Sequence, residues 1–318
     1  MAKLDRFDMA IPAPPWPSPW GPGGYFAADL GLLATLLSLA VGTAQASGIV
    51  AGAADMWAAH ELRRAGFDPD EVWPRSPGPR VMPRDIAHMM RPQGGLTVGL
   101  RQDLEARFPR MTKSLPADPS VLGAVYSKQA DVLVASWSAG IELMVSTKTM
   151  LSSFKKNLRN RFEEAYGDAR NLRTRHPLAA LGFLYVLSSK ASASDRGFAE
   201  DMLRKLRQPD AYDAVTLIVM ETAAEIQEEE PDEVGLPPDE EAPSLAVDPP
   251  THEGDAEGDD VPETEAGDDQ PAAAAEVVLL DVPEDLHPDR FFGDLIGAAL
   301  GRTPIGMYKG VREKLAHG

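Results

Sequence analysis

The chain has 318 residues, no cysteine and a formal net charge of -18 at pH 7. Without cysteine, disulfides, thiolate metal sites and cysteine nucleophiles are excluded, and a cytoplasmic location is expected. The charge is unevenly distributed: residues 221–285 contain 24 Asp or Glu and no Lys or Arg, which leaves 25 acids against 31 bases elsewhere. A mildly basic body with an acidic appendage favours a nucleic-acid partner.

The first third of the chain predicts an irregular arm followed by helices. Residues 1–24 are rich in Pro, Gly and Trp, which interrupt regular structure. Residues 25–98 predict a helical N-terminal region. Its uncharged stretch at 30–54 is long enough for a membrane span, but the second half is small and polar. We therefore expect a buried helix pair and no membrane partner.

Residues 99–221 alternate helical and strand patterns, which predicts an α/β domain. Three short strand-like runs near its start predict a three-strand meander. Helix and buried-strand patterns then alternate twice. The predicted elements are a helix at 99–108, strands at 121–127, 130–136 and 141–148, a helix at 150–170, a strand at 177–187, a helix at 195–207 and a strand at 214–220.

The rest of the chain predicts two further segments. Residues 222–285 are too acidic and too poor in aromatic residues to bury a core, so we expect a disordered linker. Tethered to a basic body, this linker would compete with DNA phosphates for Lys and Arg. Residues 286–318 predict a short C-terminal helical segment, which together with the acidic linker could bind a protein partner.

A group of polar residues stands out on the hairpin predicted at 130–148. We take Ser136 to face the first residue of the return strand across the turn. This register places Asp131 opposite Ser146, and Lys148 follows two residues later on the same face.

Two glutamates on the next predicted helix, Glu163 and Glu164, can complete this group. Either could reach back toward Asp131. Carboxylate oxygens are the preferred ligands of Mg²⁺, and a lysine beside them can stabilise the charge on an attacked phosphate. Asp131 and one glutamate can therefore hold Mg²⁺, or Mn²⁺ as a substitute, against a phosphodiester, while Lys148 stabilises the charge on the phosphate.

The element order and this group resemble the PD-(D/E)xK nuclease superfamily, which includes type II restriction endonucleases. The resemblance implies a restriction-endonuclease-like core and a Mg-dependent endonuclease that cleaves double-stranded DNA in restriction or anti-phage defence. Two positions depart from the common form: Ala130 stands for proline, and Ser146 stands where the second acid is usual. One variant of the family has Ser-x-Lys with the acid displaced onto the next helix. Glu163 and Glu164 follow Lys148 by 15 and 16 residues.

Several alternatives stay open from the sequence. Glu142, eleven residues after Asp131, is a rival acid for the metal. With Ser146 in place of an acid, the domain could instead be a catalytically inactive nuclease-fold module that binds DNA or a protein. The oligomeric state is also open, and a homodimer is one expectation.

Basic and amide side chains on and after the predicted helix at 150–170 suit contacts to phosphates and base edges. The alternative is an ordinary solvated helix face. The candidate DNA-binding residues are Lys155, Lys156, Asn157, Arg159, Asn160, Arg161, Arg170, Arg173 and Arg175.

Overall fold

The computed structural model describes residues 3–41, 46–222 and 276–318, without the side chains at 46, 47, 155 and 156. Most of the expected acidic linker, 223–275, lies outside the described residues. The described strands are β1 (Val72–Trp73), β2 (Ser120–Leu122), β3 (Ser127–Gln129), β4 (Val132–Ser136), β5 (Gly140–Met150), β6 (Ala180–Ser188), β7 (Ala214–Thr222) and β8 (Val277–Leu280). The described α-helices are α1 (Leu30–Ala40), α2 (Ala46–Ala65), α3 (Arg84–Met90), α4 (Val98–Glu105), α5 (Phe154–Arg175), α6 (Ala193–Leu206), α7 (Pro288–Arg302) and α8 (Lys309–His317).

Six strands form one mixed sheet in the order β1-β4-β5-β6-β7-β8. β4 and β5 form an antiparallel hairpin, β5, β6 and β7 run parallel, and β8 returns antiparallel to β7. Helices α5 and α6 make the two crossovers that the parallel strands require. The α/β class expected from the sequence is confirmed.

Helices cover both faces of the sheet. α1, α2 and α7 form one layer, and α5 and α6 form the other. All nine residues of β6 are buried. Leu184 and Val186 face the first layer, whereas Phe183 and Tyr185 face the second. The continuous apolar run predicted at 177–187 therefore reflects burial on two sides.

The local sequence determines where the two helices of the second layer begin. α5 starts at Phe154 rather than at residue 150, because β5 continues to Met150. α6 starts after Ser192, whose hydroxyl accepts a hydrogen bond from the backbone N–H of Asp195. The buried apolar face of α5 recurs at helical spacing and consists of Leu158, Phe162, Ala165, Ala169 and Leu172.

The strand predicted at 121–127 is wrong, because this segment is a hairpin of β2 and β3 outside the main sheet. Gly123 starts the turn, and a Cβ there would lie 2.1 Å from the Asn171 side chain. The Asn171 Oδ1 accepts hydrogen bonds from the backbone N–H groups of Val125 and Tyr126, at 2.8 and 3.3 Å. This asparagine fixes the turn against α5, and β1 occupies the sheet position beside β4 instead.

The segments expected at 25–98, 99–221 and 286–318 share their cores. α1 and α2 pack with residues of β4, β5 and α7 in one cluster. The predicted bounds of the linker, 222–285, are wrong at both ends. Thr222 belongs to β7 and pairs with Val277 at the start of β8. The C-terminal segment is therefore part of the fold rather than an appended helix.

The uncharged stretch near residues 30–54 contributes to this core. α1 and α2 pack against each other, and their apolar residues are buried among the neighbouring strands and helices. Within the described ranges, no helix combines the length and the apolar character needed to cross a membrane.

A buried ion cluster joins the two helical layers where β6 and β7 begin. The carboxylate of Asp213 accepts hydrogen bonds from Arg173 of α5 at 2.7 Å, from Arg302 of α7 at 2.5 and 2.8 Å, and from the Leu181 backbone at 2.8 Å. Both arginines also donate to the Ala179 carbonyl. Burial opposes ionisation of Asp213, but the hydrogen bonds from Arg302 and Arg173 outweigh it and hold its pKa below the ordinary value.

Replacing Asp213 with Asn should lower the free energy of unfolding by about 3 kcal/mol at neutral pH, because two arginines lose their counter-charge. The folded-state pKa is depressed, so this stabilisation is present above the unfolded-state pKa and is lost as pH falls through the folded value. Urea unfolding at several pH values measures the difference between the two proteins. The difference in unfolding free energy between the wild type and the variant should shrink below pH 3.8, the ordinary pKa of the Asp213 carboxyl.

The matched control is Asp210→Asn, which removes an exposed ion pair with Arg170 at 3.5 Å. This change should alter stability by less than about 1 kcal/mol. Equal losses in the two variants would contradict a structural role for the Asp213 cluster.

Because Thr222 and Val277 are antiparallel partners, a two-residue Asn-Gly turn should be able to replace residues 223–276. We expect this shortened protein to melt as cooperatively as the full chain. The control is truncation after Thr222, which removes β8 and α7 from the core and should prevent folding. Circular dichroism melts compare the three proteins, and a shortened protein that fails to fold would contradict the pairing of β7 with β8.

Candidate active site

The hairpin of β4 and β5 brings Asp131 and Lys148 to one edge of the sheet. The carboxyl ends of β5, β6 and β7 define this edge, and β4, which runs the opposite way, starts there. Asp131 immediately precedes β4, and Lys148 lies near the end of β5. The strand directions therefore place the two residues together, as the sequence predicts.

The register of the hairpin differs from the expected one at the turn and agrees with it at the site. Ser136 lies opposite Gly140, one residue short of its expected partner. A β-bulge then places the extra residue Glu142 in β5. Beyond the bulge the pairing returns to the expected register, which puts Asp131 opposite Ser146.

Asp131 is held in place by the neighbouring strand. Its Oδ2 accepts a hydrogen bond from the backbone N–H of Thr147 at 2.8 Å. Burial raises the pKa of the Asp131 carboxyl, while this hydrogen bond and the charges of Lys148 and Lys128 act in the opposite direction. Two cations thus lie close enough to influence this carboxylate.

Lys148 makes an ion pair with Glu164, with 2.6 Å between Nζ and Oε1. Arg161 contacts the other oxygen of Glu164 at 3.2 Å. Burial opposes ionisation of Glu164, but the hydrogen bonds from Lys148 and Arg161 lower its pKa. Glu163 stays outside the site, 66% exposed and paired with Arg159 one turn earlier. Successive helical residues are about 100° apart, so only one of the two glutamates can face the sheet.

Helix α5 contributes a second acid that the sequence analysis missed. Asp168 lies one turn after Glu164, is buried, and pairs with Lys128 of β3 at 2.5 Å. Its other oxygen accepts a hydrogen bond from the Tyr126 hydroxyl at 2.9 Å. The spacing of four residues from Glu164 was the available signal. Nothing in the sequence indicated that Lys128 of β3 would be the partner of Asp168, because residues 121–127 were predicted to form a single strand.

A third acid, also missed, reaches the site from the opposite helical layer. Asp55 of α2 lies near Thr147 and Asp131. Its Oδ1 is shielded from solvent and has no hydrogen-bond partner among the described residues. Burial and the charge of Asp131 raise the pKa of Asp55 well above its ordinary value. Asp55 comes close to Asp131 through the packing of α2 on β4 and β5.

Asp55 and Asp131 are the carboxylates best placed for a divalent cation. Two neighbouring acids in a partly buried site disfavour each other's charged forms unless a cation or a proton compensates. The Oδ1 of Asp55 makes no hydrogen bond within the described residues. Across the described residues, Asp131 belongs to no group of three acidic or histidine ligands within 4.8 Å. Mg²⁺ tolerates such a sparse set, since it keeps several waters and often binds one or two carboxylates together with substrate phosphate.

Glu142, the alternative acid, lies at the other end of the hairpin. Its Oε1 accepts a hydrogen bond from the Ser136 hydroxyl at 3.0 Å. Burial raises its pKa, and the charge of Glu71 adds to that effect. Lys148 is six positions further along β5, which corresponds to about 20 Å. Glu142 is therefore not part of this site.

A separate cluster of Asp68, Asp70 and His88 has its ligand atoms within 4.8 Å of one another. Arginines already occupy its carboxylates. Asp70 is bound by Arg75 at 3.0 Å and by Arg91, and Asp68 is bound by a further arginine at 2.8 Å. Positive charge so close to the oxygens disfavours a cation, so this cluster is an ion-pair network.

The candidate DNA-binding residues differ in their surroundings. Arg173 is buried and donates to Ala179, Ala211 and Asp213, so its prediction as a DNA contact is wrong. Asn157 is half-buried, and the side chains of Lys155 and Lys156 lie outside the described residues. The exposed candidates are Arg159, Asn160, Arg161, Arg170 and Arg175.

No protein-family model, curated protein or solved structure matches this chain. Its function is therefore inferred from the arrangement at the sheet edge. Asp55 and Asp131 come from different elements and meet beside Thr147, while Lys148 and Lys128 are each held by an acid of α5. Acids that can bind a cation and lysines that can bind a phosphate thus share one edge.

Proposed function

We propose that this protein is a metal-dependent endonuclease that hydrolyses phosphodiester bonds in double-stranded DNA. The observation that carries the proposal is the position of Asp131, which accepts a hydrogen bond from Thr147 at the carboxyl edge of the parallel strands and lies near Asp55 and near Lys148. Ligands of open α/β sheets commonly bind at this edge. The order of hairpin, helix, strand, helix and strand also supports a restriction-endonuclease-like core.

The ion that suits this ligand set is Mg²⁺, with Mn²⁺ as a substitute, because the candidate ligands are carboxylates. Asp55 and Asp131 would hold the ion, which when bound supplies positive charge at the phosphate and makes a neighbouring water more acidic. The N–H of Thr147 keeps Asp131 oriented for this role. Ser146 is buried in the position where the family has an acid, and we assign that acid's role to Asp55.

Lys148 would stabilise the negative charge that develops on the phosphoryl oxygens. Before the substrate arrives, Glu164 holds its ammonium group at the sheet edge. When a phosphate takes the place of this glutamate, Arg161 can retain Glu164. Lys128, held by Asp168, extends the positive charge toward the hairpin of β2 and β3.

The biological setting that agrees with the family resemblance is restriction or anti-phage defence, which is an analogy at the level of the fold. The second candidate function is a nuclease-fold module that binds DNA or a protein without cleavage. Two observations favour it: Ser146 replaces an acid, and Lys148 is paired with Glu164. A cleavage assay separates the two functions.

With Mg²⁺ or Mn²⁺ the wild type should nick and linearise unmethylated plasmid DNA. Asp55→Asn, Asp131→Asn and Lys148→Ala should each reduce the cleavage rate by about 10²–10³-fold, because each removes a charge that acts on the transition state. Glu163→Gln is the matched control outside the site and should cleave at the wild-type rate. Melting curves verify that all four variants fold.

Two results would contradict this proposal in different ways. A wild-type protein that binds DNA but cleaves none with either ion is the non-cleaving module. Full activity in both Asp131→Asn and Lys148→Ala would place the reaction elsewhere on the molecule.

DNA binding should weaken steeply with salt, because lysine and arginine release counterions from the phosphates they neutralise. Replacing Lys155, Lys156 and Arg159 with Ala should reduce the slope of log K against log salt by up to about 0.9 for each phosphate that the variant no longer neutralises. The control is Lys205→Ala, an exposed residue of α6 paired with Asp201. Fluorescence anisotropy in Ca²⁺, without cleavage, measures the slopes. An unchanged slope would show that this face of α5 is ordinary solvated surface.

A further inference from the structure

A cavity of about 420 Å³ lies between the N-terminal arm and the last turns of α2. Small-molecule sites commonly have volumes of about 300–1,000 Å³ and mainly apolar walls with a few polar groups. The arm supplies one wall, and α2 and the segment that follows it supply the other. Apolar residues that line the cavity include Ile11, Pro12, Pro14, Trp16, Pro69 and Pro77.

The arm is anchored on both sides of the wall that it forms. Before this wall, the two carboxylate oxygens of Asp8 accept hydrogen bonds from Arg80 at 2.7 and 2.9 Å. After it, the indole N–H of Trp20 donates a hydrogen bond to the Ala65 carbonyl at 3.1 Å. The wall is therefore held in place without a ligand, which lowers the entropic cost of binding one.

A buried guanidinium group, that of Arg63, lines the cavity and is only 6% exposed. Its hydrogen bonds within the described residues go to the backbone carbonyls of Pro69, Val72 and Pro74, none of which carries a negative charge. The Nη1 of Arg63 makes no hydrogen bond among these residues, and it is not one of the unpaired atoms shielded from solvent. Because Arg63 lines the cavity, an acceptor there can reach this nitrogen.

The charges that line the cavity leave an excess of one positive charge. The three arginines are Arg63, Arg75 and Arg91, and the two acids are Asp8 and Asp70. Asp70 is shared by Arg75, at 3.0 Å, and Arg91. Burial and the charge of Arg75 lower the pKa of Arg63 to about 9, so this guanidinium is still charged at neutral pH. One carboxylate would balance the excess, whereas a phosphate monoester carries about 1.5–2 negative charges.

We propose that this cavity binds a small organic carboxylate, whose charged group accepts a hydrogen bond from Arg63 and whose apolar body packs against Trp16. The carboxylate supplies both the acceptor that Nη1 lacks and a counter-charge, and such charge-assisted hydrogen bonds are the stronger ones. The indole N–H of Trp16 is already bound to the Pro12 carbonyl at 2.7 Å, so the ring can serve as apolar surface.

The cavity is separate from the proposed nuclease site. Arg63 follows Asp55 by eight residues on α2. This spacing corresponds to about 12 Å along the helix axis. The proposed ligand requires neither a metal ion nor DNA, so this inference does not depend on the nuclease activity.

Two probes of the same shape test the proposal on the full chain: phenylacetate, which is negatively charged, and phenylacetamide, which is neutral. The indole N–H signals in ¹H–¹⁵N spectra report binding at Trp16, and Trp137 in the exposed hairpin turn is the remote reference. We expect phenylacetate to shift the signal of Trp16 but not that of Trp137. It should bind at least about tenfold more tightly than phenylacetamide. Arg63→Gln removes the charge but keeps an N–H donor, and it should abolish this preference.

Trp16→Ala should weaken phenylacetate binding by about tenfold, because the probe loses an aromatic contact. Calorimetric titration measures this affinity, since the variant lacks the reporter signal. The matched control is Arg290→Gln, which makes the same chemical change as Arg63→Gln on an exposed residue of α7 paired with Asp294 at 3.4 Å. It should bind phenylacetate as the wild type does. Melting curves verify that the variants fold.

The comparison of the two probes on the wild type needs no variant, so it decides the proposal even if Arg63→Gln does not fold. Equal affinities for phenylacetate and phenylacetamide would overturn the proposal. So would the absence of a Trp16 shift up to about 10 mM phenylacetate, which exceeds the millimolar affinity expected for a ligand of this size. Tighter binding of inorganic phosphate than of phenylacetate at Trp16 would show that the cavity is not a carboxylate site.

Discussion

Burial of β6 on both faces is the constraint on which the rest of this structure depends. A parallel strand without a solvent-facing side needs a helical layer above and another below. The crossovers α5 and α6 supply one layer, because they must connect β5, β6 and β7 in any case. The helices of the other layer do not connect the parallel strands to one another. It is assembled from the two ends of the chain, with α1 and α2 from one and α7 from the other.

The site follows from this architecture, because its charges come from both layers. Asp55 approaches from α2, whereas Glu164 and Asp168 approach from α5, and Asp131 lies between them at the start of β4. The acids of α5 are neutralised by Lys148 and Lys128. Burial raises the pKa of both Asp55 and Asp131, so their carboxylates are the part of the site where an added positive charge would be most favourable.

The sequence predicts those parts of the molecule that depend on local pattern. Strands β4 to β7 and helices α5 and α6 follow their apolar spacing, and the Asp131 and Lys148 pair follows from strand alternation. The choice between Glu163 and Glu164 depends on how α5 is rotated against the sheet, which its amphipathic pattern defines only to within about one residue. Strand β1 has two residues, too few for a pattern, and Asp55 meets Asp131 only through tertiary packing. Such contacts have no periodic signal in the sequence.

The bulge at Glu142 separates two registers within one hairpin. On the site side, apolar alternation fixes the pairing, because a slip of one residue would turn Val132 and Val145 away from their core. On the tip side, the turn from Ser136 to Gly140 fixes the pairing. The two differ by one residue, and the bulge absorbs that difference. A change of one residue in the length of the turn can therefore be accommodated by removing or moving the bulge. The length of the turn can therefore vary during evolution without moving Lys148 to the other face of the sheet.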